Sequence, residues 1–335
     1  MKPIRLLPFL LCAAVFCCRT AAGTEPARIR IACYNAESLF DTIADPSVGD
    51  AEFTPRGAKR WNTERYREKI DHLSRVIDDL GADLLALEEV ESEAVVRDLM
   101  YAMRSDYNYI HRRSGDPRGM NLTLLYRGSR FFPTRVRQVF GRGLTRSLLT
   151  VDGELLDEPV TLILCHLPSQ MNATGYRLAA FRSLRGTVDS LLCADPQRKL
   201  IVLGDFNAEP DARESRKILV IRPETALQDE PVGTQALYTP FIRLRRQGYG
   251  SLIYRDRRQL FDYIAFSRAF ATGPGLRYYG HCGIFARDYL IHRSGPLKGY
   301  PIRTFQSGRY TGGYSDHLPV FLDFENKKPE SPEVR

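Results

Sequence analysis

The sequence predicts a single α/β domain in which two β-sheets are covered by helices. Strand-like and helix-like segments alternate along 335 residues, and no internal repeat, low-complexity linker or compositional break divides them. In addition, five hydrophobic runs of strand length end in polar residues with acidic, amide or imidazole side chains. Strand ends are where α/β folds place their chemistry, so these five ends also predict an enzyme.

The first half of the chain contains two predicted helices and four predicted strands. Apolar residues recur at helical spacing over 63–80, with Asn62 or Thr63 as the N-cap and Gly81 as the C-terminal stop. A second helix is predicted over 92–103. The predicted strands cover residues 28–34, 84–87, 107–111 and 122–126, and the last two are expected to pair around a loop.

The second half continues the same alternation. A helix is predicted over 176–192, and strands are predicted over 160–165, 200–203, 261–266 and 319–324. Residues 326–335 are charged and contain two prolines, which predicts a disordered tail. The folded domain is therefore expected to span residues 27–325.

The N-terminus has the residue order of a secretory signal peptide. Lys2 and Arg5 precede an apolar stretch over residues 6–18, and small residues follow at 21–23. We expect residues 1–23 to be removed, which leaves a periplasmic or secreted chain without a transmembrane segment. A membrane anchor that stays attached is the alternative interpretation.

The cysteines allow two further interpretations. Lipid modification at Cys17 or Cys18 is an alternative to simple secretion, because each follows the apolar run. The cysteines beyond the leader are spaced neither like a zinc clip nor like a small disulfide scaffold, so export permits a disulfide without requiring one. These cysteines are Cys33, Cys165, Cys193 and Cys282.

The charge of the chain is compatible with a phosphate-bearing substrate. The formal net charge is +8 and falls to +5 when the three basic residues of the leader are removed. Arginine clusters indicate either solvated faces or attraction of phosphate groups, and charge alone does not separate nucleic acid from a smaller phosphoester. The clusters lie at Arg112 and Arg113, Arg118, Arg142 and Arg146, and within residues 243–246 and 255–258.

The five strand ends together predict a metal site. Carboxylate and amide oxygens without cysteine ligands suit a hard divalent ion, Mg²⁺, Mn²⁺ or Ca²⁺, rather than structural zinc. An ionised Glu89 after a buried strand is costly unless a cation or strong donors meet it. The segments are Tyr34-Asn35-Ala36-Glu37, Leu87-Glu88-Glu89-Val90, His166-Leu167-Pro168-Ser169, Gly204-Asp205-Phe206-Asn207 and Ser315-Asp316-His317.

Two histidines accompany these oxygen ligands. His166 lies at a strand-to-loop transition, and His317 follows Asp316. Either histidine alone is more often structural than catalytic. Beside carboxylates, however, imidazoles can orient, protonate or neutralise a phosphate group.

In their order along the chain, these residues resemble the motifs of the endonuclease/exonuclease/phosphatase superfamily. The resemblance covers residues 29–324, and its most specific segments are residues 204–207 and 315–317. It implies a four-layer α/β sandwich, with two central mixed β-sheets flanked by helices and the site at one end of the sheets. Further segments are similar to secreted members of Bacteroidetes-type bacteria, namely residues 34–41, Glu52-Phe53-Thr54-Pro55, Arg60-Trp61 and residues 310–314.

The resemblance also implies which residues bind the metal and the substrate phosphate. Glu89 is expected to be the principal metal ligand, with Asn35 beside it. Asp316 is expected near the metal, and Glu37 near a second metal position. Arg118 matches a segment that lies near the substrate phosphate in the family. The implied cofactor is Mg²⁺ or Mn²⁺, with Ca²⁺ as an alternative.

A catalytic set is implied in the same way. Asp205 is expected to position or deprotonate the attacking water, and Asn207 to hold both the water and the phosphate. His317, oriented by Asp262, is expected to contact a non-bridging phosphate oxygen. His166 is expected to contact the phosphate from the other side.

The sequence therefore predicts a secreted, divalent-metal-dependent phosphodiesterase, an endonuclease acting on DNA or RNA. Nucleic acid is the expected substrate, and the sequence indicates no obligate protein partner. One alternative is a phosphoesterase of lipids or small molecules, similar to sphingomyelinases or inositol-phosphate phosphatases. Another, from a different class, is a non-catalytic binding module on the same fold.

Overall fold

The computed structural model describes residues 27–228, 235–271 and 275–327. The predicted leader and residues 328–335 of the predicted tail lie outside the described residues. The last strand continues to Lys327, two residues beyond the predicted end of the domain. Among the described helices, none is long and apolar enough to cross a membrane.

The described residues form five α-helices and 17 strands, several of which follow one another without a helix between them. The helices are α1 (Thr63–Leu80), α2 (Glu93–Ala102), α3 (Thr174–Ala194), α4 (Arg213–Lys217) and α5 (Phe241–Arg246). The strands are β1 (Ala27–Leu39), β2 (Leu84–Val90), β3 (Asn108–Arg112), β4 (Asn121–Tyr126), β5 (Phe131–Val139), β6 (Leu148–Leu155), β7 (Glu158–His166), β8 (Leu200–Asp205), β9 (Ile221–Pro223), β10 (Leu237–Thr239), β11 (Leu252–Tyr254), β12 (Arg257–Gln259), β13 (Asp262–Ser267), β14 (Gly275–Ile284), β15 (Phe305–Gln306), β16 (Arg309–Tyr310) and β17 (Val320–Lys327).

The longer strands form two mixed sheets. The 6-stranded sheet has the order β14-β17-β1-β2-β4-β3, and the 7-stranded sheet has the order β5-β6-β7-β8-β13-β10-β9. The pairs β1–β2 and β7–β8 are parallel, whereas β1–β17 and β8–β13 are antiparallel. Two short hairpins, β11–β12 and β15–β16, lie outside these sheets.

Alternating side chains of β1 show how the layers pack. Ile31 and Cys33 belong to the core that contains the inner residues of β7 and β8, whereas Ala32 and Tyr34 pack with α1 and α2. Helix α3 packs against the 7-stranded sheet through Phe181 and its neighbours. Two mixed sheets between helices confirm the predicted four-layer α/β sandwich.

Helix α1 confirms its sequence prediction at both ends. It begins after Asn62, whose side-chain oxygen accepts a hydrogen bond from the Arg65 backbone N–H at 3.0 Å. It ends at Gly81, which adopts a left-handed conformation (φ 59°) and donates its N–H to the Ile77 carbonyl.

The strand registers bring the polar strand ends together. Asn35 on β1 is paired with Glu88 on β2, and His166 on β7 is paired with Asp205 on β8. Asp205 is in turn paired with Asp262, the first residue of the antiparallel β13. The ends of both sheets that carry these residues meet at one edge of the sandwich.

Several strands have no clear pattern in the sequence. β5 and β6 were not predicted, and neither were the short strands β9 and β10. β5 is an edge strand that contains Pro133 and exposed charged residues, which are typical of edges that avoid further pairing. Such strands lack the apolar alternation on which sequence prediction depends.

Gly204 is required where β8 passes β7. Its φ is 135°, and a Cβ at this position would lie 2.0 Å from the Cys165 carbonyl oxygen. We expect Gly204→Ala to lower the free energy of unfolding by roughly 2–5 kcal/mol, because backbone strain and overpacking add. Chemical denaturation followed by circular dichroism measures this loss.

Gly186→Ala is the matched control for this substitution. Gly186 lies inside α3, and no atom lies within 4 Å of the position of an added Cβ. Alanine in a helix interior is favoured over glycine by about 0.5–1 kcal/mol, so this variant is expected to be at least as stable as the wild type. Equal stability of both variants would contradict the explanation for Gly204.

Candidate active site

A cavity of about 630 Å³ opens at the edge of the sandwich where the strand ends meet. Every predicted site residue except Asp262 lines it, and Asp262 lies behind His317. The predicted residues that line the cavity are Asn35, Glu37, Glu89, Arg118, His166, Asp205, Asn207, Asp316 and His317.

Glu89 is held in a fixed orientation by its neighbours. Its Oε2 accepts hydrogen bonds from the Ser38 backbone N–H at 2.8 Å and the Ser38 hydroxyl at 3.1 Å. Its Oε1 lies 3.3 Å from the Asn35 Nδ2 and 3.8 Å from the His166 Nε2. The Glu89 backbone is left-handed, with φ 63°. A non-glycine residue in this conformation costs about 1–3 kcal/mol and is typical of functional sites.

Asp205 and Asn207 form a compact turn at the end of β8. The Asn207 backbone N–H donates to the Asp205 Oδ1 at 2.8 Å, and the Asn207 side chain donates to the Leu167 carbonyl at 2.9 Å. Asn207 is also left-handed, with φ 50°. Burial, followed by the nearby Asp262 carboxylate, raises the pKa of Asp205 to about 7. A carboxylate with this pKa can accept a proton near neutral pH.

His317 and Asp262 form a buried pair. The His317 Nδ1 lies 2.7 Å from the Asp262 Oδ2, which also accepts a hydrogen bond from the Ser251 hydroxyl. Burial alone would lower the pKa of His317, but the Asp262 carboxylate outweighs it and raises the pKa well above its usual value. The pair therefore presents a cationic imidazole to the cavity.

His166 lies on the opposite side of Asp205 and differs in charge. Its Nε2 is 3.5 Å from the Asp205 Oδ2, and among the described residues its Nδ1 has no hydrogen-bond partner. Burial, followed by the positive charges of Arg146 and His317, lowers the pKa of His166 well below its usual value. One imidazole of the site is therefore neutral and the other is cationic.

Arg303 bridges two residues that were predicted as metal ligands. Its Nε donates to the Glu37 Oε1 at 3.2 Å, and its Nη2 donates to the Asp316 Oδ2 at 2.9 Å. The second Glu37 oxygen accepts the Thr304 backbone N–H at 2.6 Å. Burial and the Asp316 charge raise the pKa of Glu37. Both Glu37 oxygens are thus already hydrogen-bonded, and its role as a metal ligand stays a prediction.

Both the oxygen and the nitrogen of the Asn35 side-chain amide also have partners within the site. Its Oδ1 accepts the Glu37 backbone N–H at 3.0 Å, and its Nδ2 lies 3.3 Å from oxygens of both Glu89 and Asp205. In this orientation the amide fixes the two carboxylates. Metal ligation through the Asn35 oxygen stays a prediction.

Arg118 and Arg146 differ in what they can contact. Both guanidinium groups lie beside the buried Asp116 carboxylate, with Nε–Oδ distances of 3.7 Å for Arg118 and 3.0 Å for Arg146. The Arg118 side chain is 57 % exposed and reaches into the cavity, whereas that of Arg146 is 4 % exposed and donates to the His166 carbonyl. Arg118 can therefore contact substrate, and Arg146 positions the strand end.

The sequence interpretation missed several residues of the site. They are ordinary residues of a strand, a helix and loops, and no local pattern marks their side chains as parts of the site. Arg303, for example, stands in an ordinary Pro-Ile-Arg-Thr segment. Lys69 was treated as an ordinary residue of helix α1, although it is buried and donates to the Thr304 hydroxyl at 2.6 Å. The residues missed as parts of the site are Ser38, Lys69, Arg146, Ser251 and Arg303.

Comparisons with known proteins agree with this geometry. The family model described as Endonuclease/Exonuclease/phosphatase family matches residues 30–326. Among curated proteins, none matches the chain.

Solved structures with the same fold come from animals and bacteria. A humanized D. rerio TDP2 has 16% sequence identity and a TM-score of 0.57, over 89% of this chain and 98% of that chain. D. rerio TDP2 complexed with a single-strand DNA product has 15% identity and a TM-score of 0.56, over 89% and 99%. A Bacteroides thetaiotaomicron mannosyl-6-phosphatase has 13% identity and a TM-score of 0.53, over 88% and 99%. At these identities the likeness shows the fold.

The family match shows the family to which this chain belongs, whereas the distant structures alone show only its fold. It covers most of the chain, and it contains the strand ends whose side chains converge on the cavity. This chain therefore belongs to the endonuclease/exonuclease/phosphatase family and is a phosphoesterase of that family.

Proposed function

We propose that this chain is a divalent-metal-dependent phosphodiesterase, and that it acts as an endonuclease on DNA or RNA. We further propose that it works in the periplasm or outside the cell, since the first 23 residues have the order of a signal peptide. The observation that carries the catalytic proposal is the convergence of Glu89, Asp205 and the Asp262–His317 pair at one cavity.

The residues present fit a hard divalent cation. Oxygens of Glu89 and Asp205 both lie 3.3 Å from the Asn35 Nδ2, so this amide links the two carboxylates at the cavity. Carboxylate oxygens suit Mg²⁺ or Mn²⁺, and Glu89 would hold the ion; Asn35 would join it once its amide oxygen turns from the Glu37 N–H towards the ion. When bound, the ion would polarise the phosphoryl group and offset developing negative charge.

A second group of three residues has ligand atoms close enough together to bind a metal ion, but we assign this group a different role. Ligand atoms of Asp205, Asp262 and His317 lie within 4.8 Å of one another. However, the Asp262 Oδ2 is already hydrogen-bonded to the His317 Nδ1 and to the Ser251 hydroxyl, and Asp262 does not line the cavity. We therefore assign these three residues to catalysis and the ion to Glu89.

The side chains divide the work of hydrolysis among them. Asp205 accepts a proton from the attacking water, and Asn207, which already donates hydrogen bonds beside it, holds the water and a phosphate oxygen. His317 donates to a non-bridging oxygen, and Asp262 stabilises its positive charge. His166 and Arg118 contact the phosphate from the remaining sides of the cavity.

A small phosphoester is the second candidate substrate. The cavity volume of about 630 Å³ lies within the range typical of small-molecule sites. An inositol phosphate, a sugar phosphate or a lipid headgroup would therefore fit in it. The cationic side chains at its rim, Arg118, Lys59 and Arg303, favour a phosphate-bearing ligand in either case.

We expect activity to require a divalent ion. Purified protein with Mg²⁺ or Mn²⁺ is assayed on plasmid DNA, RNA, sphingomyelin, inositol phosphates and mannose 6-phosphate. EDTA is expected to reduce turnover to background, and added Mg²⁺ or Mn²⁺ is expected to restore it, because without the ion at Glu89 nothing would offset the negative charge that develops on the phosphoryl group. Nicking of plasmid DNA and release of phosphate measure the two reaction types.

The result also separates the two candidate substrates. Turnover of nucleic acid supports the nuclease proposal. Turnover of a lipid or sugar phosphate without cleavage of DNA or RNA would overturn that proposal and leave the proposed hydrolytic chemistry in place. Full activity in EDTA would contradict metal dependence.

A further inference from the structure

Two aromatic rings that hydrolysis itself does not use, Phe53 and Phe305, line the cavity, and a cluster of further rings packs behind them. Phe40 stacks on Phe53 at 4.4 Å, and Trp61 and Phe305 are 5.8 Å apart. Tyr310 pairs with Phe305 across the β15–β16 hairpin, with ring centroids 5.7 Å apart. We call these five residues the aromatic wall. They come from the segments similar to secreted relatives and from the neighbouring hairpin.

The aromatic wall is fixed next to the catalytic groups. The Trp61 indole is fully buried and donates to the Phe40 carbonyl at 2.9 Å. Phe40 lies two residues after Ser38, whose N–H and hydroxyl hold Glu89. Phe53 and Phe305 line the same cavity as Glu89, so a group that contacts these two rings lies in the cavity that holds the catalytic residues.

Phe305 is the ring that faces the substrate. It is half-buried and lines the cavity with Phe53, and three other rings of the wall contact it. The Lys59 ammonium, which also lines the cavity, lies 4.7 Å above the centre of the Phe305 ring. The ammonium thus covers one face of the Phe305 ring at the cavity, and a flat ring that stacks on this face would displace it towards the phosphate.

A nucleotide has the matching chemistry. Its base is a flat ring that stacks on aromatic side chains, and its phosphates attract a cation. An inositol or a mannose has no flat aromatic ring to stack in this way, and the quaternary ammonium of a phosphocholine headgroup would be repelled by the Lys59 ammonium at the same ring. We propose that Phe305 and Lys59 form a subsite for the base adjacent to the scissile phosphate, so that the substrate is a phosphodiester of nucleotides. This inference rests on the proposed phosphodiesterase function.

The test compares diesters that differ only in a base. Thymidylyl-thymidine is compared with two analogues in which one or the other nucleoside is an abasic tetrahydrofuran. Wild-type protein with Mg²⁺ is expected to prefer the full dinucleotide over one of the analogues by about 5- to 100-fold in kcat/KM, mainly through KM. Phe305→Leu, which keeps an apolar side chain without a ring, is expected to reduce this ratio towards unity, and Phe305→Trp is expected to retain it.

Phe132→Leu is the matched control, because Phe132 is an exposed phenylalanine on β5 outside the cavity. It is expected to leave all rates unchanged. Thermal unfolding of each variant shows whether it is folded. A wild-type protein that cleaves all three diesters equally, or a folded Phe305→Leu variant that slows all three by the same factor, would overturn the base subsite and leave the phosphodiesterase proposal in place.

If no diester is cleaved, the phosphodiesterase proposal is overturned. The base subsite can still be tested by a binding measurement. The chain has a single tryptophan, Trp61, in contact with Phe305. In EDTA, thymidine 5′-monophosphate is expected to change Trp61 fluorescence saturably, and deoxyribose 5-phosphate is expected to do so about tenfold more weakly. Loss of the nucleotide response in Phe305→Leu supports the subsite. Equal responses to both ligands, or none, would overturn it.

Discussion

Asp205→Asn is expected to lower kcat on a phosphodiester substrate by about 10²–10⁴-fold. The substitution keeps the shape of the side chain, so the Asn207 N–H retains an oxygen to which it can donate. It removes the group that accepts the proton of the attacking water, and it turns an amide N–H₂ towards the amides of Asn35 and Asn207. Steady-state kinetics at saturating Mg²⁺ measure the loss.

Although Asp205→Asn is expected to lower kcat, it is expected to raise the stability of the metal-free protein. Folding raises the pKa of Asp205 to about 7, so the folded state binds this proton more tightly than the unfolded chain does. The stability of the metal-free wild type therefore falls as the pH rises from about 4 to about 7 and stays reduced above that range. The amide introduced by the substitution does not titrate, so metal-free Asp205→Asn is expected to unfold at a higher temperature than the wild type at pH 8.

Asp106→Asn provides the comparison for both measurements. Asp106 lies in an exposed loop outside the cavity, so its loss is expected to change neither kcat nor the unfolding temperature. A folded Asp205→Asn variant with wild-type kcat would show that another group activates the water. A variant less stable than the wild type at pH 8 would show that the Asp205 carboxylate stabilises the fold.

The helices and strands that the sequence predicted correctly are those whose signals lie within their own residues. Helix α1 has an apolar stripe, an N-cap and a terminal glycine within its own sequence, so local information is sufficient. Strands such as β8 are continuous apolar runs because both faces are buried. The polar residues that follow such runs were recognisable for the same reason, since a carboxylate after a buried strand needs a partner.

The rest depends on contacts between distant segments. Glu88 and Glu89 are adjacent in the sequence, but Glu88 is fully buried between the sheets and Glu89 faces the cavity. The left-handed backbone at Glu89 directs its side chain towards the cavity. The residue types next to Glu89 in the sequence do not indicate this backbone conformation. Arg303 likewise joins Glu37 and Asp316 across 266 and 13 residues of chain.

Substitution of Glu89, compared with substitution of Glu88, is the second change for which we expect a large effect. Glu89→Gln is expected to lower kcat/KM by about 10²–10³-fold and to weaken Mg²⁺ binding, because it removes the charge that meets the ion while its oxygen can still accept from Ser38. Mg²⁺ stabilises the folded protein by an amount that grows with the logarithm of its affinity, so the rise in unfolding temperature with Mg²⁺ that we expect for the wild type is expected to disappear in Glu89→Gln. Calorimetric titration with Mg²⁺ measures the affinity directly.

Glu88→Gln separates the metal effect from a general loss of acidic charge near the site. Burial, followed by the Asp262 and Asp205 carboxylates, raises the pKa of Glu88 well above its usual value, so its surroundings favour the neutral form of this side chain. Glutamine is close to it in shape and is also neutral. Glu88→Gln is therefore expected to retain Mg²⁺-dependent stabilisation that Glu89→Gln has lost. If both variants kept wild-type Mg²⁺ affinity, the ion would have to be bound by other residues of the cavity, and the proposed division of roles between Glu89 and the Asp205–Asp262–His317 group would be wrong.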